Sequence, residues 1–158
     1  MTRKFLKEIG AEDEDPLFNP NIPDEATREK KYREYEQKYG VYPPDCWNLH
    51  YNMMAYLYER LIQYKKDAAG IIDLTYHRYT RDGKECSQIE MIDEMIEIAE
   101  FILMDLNKVS KKSKAYKRLV NNKYYVKYGE FNDFNQEQCE VRDRFWKIWA
   151  EIYPVMWW

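Results

Sequence analysis

Four carboxylates stand closest to a chemical constellation in this chain. Glu90, Asp93, Glu94 and Glu97 follow the spacing i, i+3, i+4, i+7, which places them on one face of a helix. Carboxylates so placed can hold Mg²⁺ or Mn²⁺ through oxygen ligands. All-α nucleotide pyrophosphatases use such faces in pairs, so a second helix would have to contribute. Beyond its cap residue Asp45, the helix over 45–66 offers only Glu59, and the last helix offers Glu137, Glu140 and Asp143. The competing reading is a solvated polar face, or one that neighbours the basic run behind it. A metal-dependent hydrolase is therefore an alternative, and the leading expectation is no cofactor.

That basic run is the second constellation. Residues 85–105 carry seven acids and no Lys or Arg; residues 108–127 carry eight bases and no acid. Lys111, Lys112, Lys114, Lys117 and Arg118, with Tyr124 and Tyr125, combine phosphate-neutralising cations with rings that could stack on bases. Single-stranded nucleic-acid binding needs both. No recognised nucleic-acid motif is present, and a solvated basic helix has the same composition.

Other chemistry has less support. Cys46 and His50 are one helical turn apart, but zinc needs two further ligands. His50 also falls on an apolar stripe, where it reads as a core histidine. The five glycines are dispersed and make no phosphate loop. No nucleophile–base pair is indicated, so no catalytic residue is assigned. Trp157 and Trp158 follow Pro154 and need a surface to cover them, on this chain, a second copy or a partner.

The elements that would position these groups read as helices. Their charge balance, 25 bases against 28 acids in 158 residues, is not the basic excess of a general nucleic-acid binder. Three widely spaced cysteines favour reduced thiols in a cytosol. No apolar run is long enough to span a membrane, and no secretory signal opens the chain. Aromatic residues make up 16%, with 15 Tyr and 5 Trp, a composition enriched in binding surfaces.

Residues 1–23, with an acidic cluster and three prolines, read as an irregular arm, and 24–158 as one helical domain. A charged helix over 24–39 ends at Gly40. Asp45 caps a second helix to about Lys66, with Trp47, His50, Met54, Leu57, Leu61 and Tyr64 on its apolar face, widened by Leu49 and Met53. Residues 70–84 read as an extended connection or short strand with a turn at Arg81-Asp82-Gly83. Ser87 and Glu90 make a capping box for a helix to about Leu106. A short helix covers 113–120. Tyr124-Tyr125-Val126 reads as extended and able to pair with 71–79. Asp133 or Asn135 caps the last helix, to about Tyr153, with Val141, Phe145, Ile148, Trp149 and Ile152 buried. The expected fold is a single all-α bundle of four or five helices with at most a two-stranded β element.

Several of these segments carry a resemblance. Asp45-Cys46-Trp47-Asn48-Leu49, Ala55-Tyr56-Leu57 and Arg60-Leu61-Ile62-Gln63-Tyr64-Lys65, then Ile92-Asp93-Glu94-Met95-Ile96, resemble a pattern of small uncharacterised helical proteins of tailed bacteriophages. The aromatic helix Phe145-Trp146-Lys147-Ile148-Trp149 is similar to their C-terminal element. The shared positions are mostly core positions, and residues 70–84 interrupt the spacing between the two motifs. The resemblance implies a phage accessory protein in the bacterial host cytoplasm. Together with the Tyr/Trp content, it points to binding a host protein or complex, with counter-defence as one use of such binding and self-association as another use of the surface.

Overall fold

The computed structural model describes residues 25–40, 42 and 49–156. The arm at 1–23, Cys46, Trp47, Trp157 and Trp158 lie outside the described residues. Six α-helices and one two-stranded antiparallel sheet are present among those described: α1 (Glu25–Tyr39), α2 (Leu49–Ala68), β1 (Arg78–Arg81), β2 (Lys84–Ser87), α3 (Gln88–Leu103), α4 (Lys114–Val120), α5 (Lys123–Tyr128) and α6 (Gln136–Ile152). A 3₁₀ turn over Tyr153–Val155 follows, with Pro154 inside it. The fold is the expected all-α type with a small β element. No described helix is long and apolar enough to cross a membrane.

The chain divides into two compact units, with the boundary between Met54 and Ala55. In the first, α1 is a charged surface helix. Arg33 bridges Glu29 (2.6 Å) and Glu36 (2.9 Å), and Tyr42 donates to Glu29 at 2.5 Å. Gly40, at φ 72°, closes the helix by donating to the Glu36 carbonyl.

The second unit is built around α3. Met91, Ile92, Met95, Ile98, Ala99, Phe101, Ile102 and Leu103 are all buried, so this helix is apolar around most of its circumference. A helix of that kind needs cover on several sides. It packs along α6, whose Val141, Phe145, Ile148 and Ile152 are buried, and against α5. The capping box forms: the Ser87 N–H and hydroxyl both donate to the Glu90 carboxylate at 2.7 Å. On α2 the buried residues are Met54, Ala55, Leu57, Tyr58, Leu61 and Ala68. His50, Leu49 and Met53 are exposed, which corrects the expectation of a core histidine on a widened stripe.

Two segments differ from their sequence reading. The strand over 71–79 is shorter and later, Arg78–Arg81, and it pairs locally with Lys84–Ser87. Asp82 (φ 52°) and Gly83 (φ 73°) supply the two left-handed residues of a tight hairpin turn. Tyr124-Tyr125-Val126 is helical, not a strand. Asn122 accepts from the N–H groups of Tyr124 (2.9 Å) and Tyr125 (3.4 Å), and this cap starts α5 in spite of the β-favouring composition.

Candidate functional site

Each carboxylate of the α3 acidic face is claimed by a different part of the fold. Glu90 is spent on the capping box. Asp93 pairs with Lys65 of α2. Glu97 pairs with Lys123 of α5 at 2.7 Å. Glu94 receives the most: Arg144 of α6 grips both its oxygens, at 2.8 and 3.1 Å, and the Tyr124 hydroxyl donates to it at 2.7 Å. Burial works to raise the Glu94 carboxyl, but the hydrogen bonds from Arg144 and Tyr124 outweigh it and hold the group below its ordinary value. Desolvation and the bond to Glu94 push the Tyr124 phenol up. A carboxylate so saturated is a poor proton acceptor. Among the described residues, no three His, Cys, Asp or Glu side chains gather as a metal site requires.

A sixth acid of the same run, Glu100, is buried at 4% exposure. Tyr58 of α2 donates to it at 2.5 Å and Arg118 of α4 at 2.6 Å. Desolvation dominates here and raises its pKa against both partners. The acidic and basic runs therefore meet: Arg118 and Lys123 neutralise α3 from α4 and α5.

Beside Glu94 lies an open cavity of about 400 Å³, lined by the hairpin turn, α3, α5 and α6. Arg144 spans it to Asp82 at 2.6 Å. Arg81 is held by Glu151 at 2.7 Å. Arg144 and Lys147 face Glu137, Glu140 and Asp82 across its walls, so neither sign of charge prevails. Its geometry is that of an interlocking polar seam.

The nucleic-acid candidates separate into two groups. Arg118 and Tyr124 are committed to Glu100 and Glu94, and Tyr124 is half-buried with its ring 5.9 Å from that of Phe101. Tyr125 is half-buried. Lys111, Lys112, Lys114 and Lys117 are exposed and make no ion pair with a described residue.

A feature without a counterpart in the sequence reading is the loop before α6. Phe131 tucks its ring edge-on against Phe101, with centroids 5.6 Å apart. Three residues on, Phe134 is 98% exposed. The loop between is pinned at many points. Asn132 accepts from the Phe134 N–H at 2.9 Å, and Asn135 caps α6 by accepting from the Gln138 N–H at 3.1 Å. The buried Gln138 amide receives the Asn132 N–H at 2.5 Å and donates to the carbonyls of Glu130 (3.0 Å) and Tyr128 (3.3 Å). Arg142 bonds Asp133 at 2.9 Å. The signal was a phenylalanine set among turn residues, Asn132-Asp133-Phe134-Asn135, with no periodic apolar neighbours. Compared with protein-family models, curated proteins and solved structures, the chain matches none of them.

Proposed function

We propose that this chain is an accessory protein that acts by binding a host protein or complex in the bacterial cytoplasm, without catalysis and without a cofactor. The observation that carries this reading is Phe134, a fully exposed aromatic ring held out on a loop that side-chain hydrogen bonds fix in place. A single exposed apolar residue is ordinary on a flexible surface. A pre-positioned one is the form that binding anchors take, because aromatic anchors dominate interface energetics and order little on association. The α3 carboxylates are engaged by Lys65, Arg144, Lys123 and the capping box, which disfavours a metal-dependent use of that face. The phage origin expected from the sequence motifs makes a host defence complex the first partner to examine.

The test is comparative capture from host lysate with wild type and Phe134→Ala. A stoichiometric partner is expected on the wild type and lost on the variant, with both proteins unfolding within about 0.5 kcal/mol of each other, as for other exposed sites. Equal capture by the two, or no stoichiometric partner even at low salt, would overturn the reading.

A further inference from the structure

The charge left over once the internal pairs are made is not evenly spread. Of the eight bases in residues 108–127, Arg118 and Lys123 are consumed by Glu100 and Glu97, and Lys108 lies 3.6 Å from Asp105. Lys127 sits over the Tyr128 ring, 4.6 Å from its centre. Lys111, Lys112, Lys114 and Lys117 make no ion pair with a described residue and are all exposed, within seven consecutive residues that contain no acid. Ser113 fixes their spacing: its hydroxyl accepts from the Tyr116 N–H at 3.0 Å and starts α4 directly between the two pairs of lysines. Like charges this close repel one another, so a folded chain holding four of them is stabilised by a polyanion that takes the place of small counterions.

We propose that Lys111, Lys112, Lys114 and Lys117 form a binding surface for the phosphodiester backbone of single-stranded nucleic acid, read without sequence preference. This surface is independent of Phe134. Its dimensions favour a single strand over a duplex: α4 spans only about 10 Å, too short to lie along a groove, whereas a flexible strand can wrap four closely set charges. Arg118 and Tyr124, which the composition alone would include, are excluded by their bonds to Glu100 and Glu94. Contact is therefore electrostatic, with at most Tyr116 and Tyr125 contributing part of a ring edge.

The experiment is fluorescence anisotropy with a labelled 20-nucleotide oligothymidine, and with a duplex of equal length, from 50 to 200 mM NaCl. Four phosphate contacts give a slope of log K against log salt of about −3, a loss of about 50-fold over that range. Lys114→Gln/Lys117→Gln should roughly halve the slope. Lys111→Gln/Lys112→Gln, in the turn outside any helix, should do the same and guards against a folding defect in the first pair. Lys66→Gln, an exposed lysine on α2, should leave it unchanged. At 50 mM salt the oligonucleotide should raise the melting temperature of the wild type more than that of either pair. No binding at 50 mM, slopes unaffected by both pairs, or tighter binding of the duplex would overturn the proposal. Competition by polyglutamate as strong as that by unlabelled oligothymidine would overturn it in favour of an acidic protein surface.

Discussion

Glu94 and Glu100 sit six residues apart on the same helix, and their environments drive them in opposite directions. Glu94 is held below its ordinary value, because Arg144 and Tyr124 outweigh its burial. A depressed carboxyl contributes stability above its unfolded pKa of about 4.3 and loses it as pH falls through the lower folded value. Glu94→Gln should therefore lower stability at pH 7 by about 1–3 kcal/mol, the usual worth of hydrogen bonds to a charged group, and weaken the acid-side decline measured by urea unfolding. Glu100 is raised, because desolvation outweighs Tyr58 and Arg118. Its folded form prefers the proton, so its contribution falls as pH rises from about 4.3 through the raised value. Glu100→Gln should accordingly cost less at pH 7 than Glu94→Gln and flatten the fall in stability as pH rises above the unfolded value. A loss at pH 7 as large as for Glu94→Gln would contradict this assignment. The position of Glu94 was legible from the i, i+3, i+4, i+7 pattern, and Glu100 only as one acid of the 85–105 run. Their opposite characters were not, because each depends on a residue far along the chain: Arg144 for one, Tyr58 and Arg118 for the other.

At the scale of elements, amphipathic periodicity identified α3 and α6 closely, since long helices with a wide apolar face leave a repeated signature. The short elements were misread for a local reason. Tyr124-Tyr125-Val126 has strand composition, yet Asn122 decides its state. Its side-chain oxygen caps α5, while its nitrogen donates to the Glu97 carbonyl on α3 at 2.8 Å. One buried asparagine thus starts one helix and ties it to another. Asn122→Ala should cost about 1–3 kcal/mol, leaving unpaired groups on both helices, read as a lower urea midpoint. Asn122→Asp keeps the cap but cannot donate to Glu97, so it should recover only part of the loss. The hairpin was partly legible: Asp82-Gly83 signalled the turn, but the β-branched residues before it drew the strand several positions too early. The pinned Phe134 loop went unseen because its order comes from Gln138, whose amide bonds reach back across the turn to Asn132, Glu130 and Tyr128.

For the second unit as a whole, α3 is the hub to which α2, α4, α5 and α6 are each tied by a separate ion pair or charged hydrogen bond. Most of these pairs are partly exposed, so each adds little by itself. Their joint effect is on arrangement: every neighbour has its own acid, and a helix docked in the wrong place would leave a charge unmatched. Acidification removes this matching in steps, Glu100 taking its proton before Glu94. Between about pH 5 and 3, near-ultraviolet circular dichroism should lose the signal of the buried Tyr58 and Phe101, while far-ultraviolet helicity largely persists. Simultaneous loss of both would show that packing and helix formation are inseparable here. Dependence on partners so far along the chain also has a consequence for biosynthesis. Arg144 follows Glu94 by fifty residues, which takes a ribosome roughly 3–10 s to synthesise. Through that interval α3 carries a wide apolar face, Met91, Ile92, Met95, Ile98 and Phe101 among it, with its principal cover, α6, still unmade. Nascent chains should therefore engage a chaperone that recognises apolar segments once α3 has left the exit tunnel, and leave it when Ile148 and Ile152 emerge.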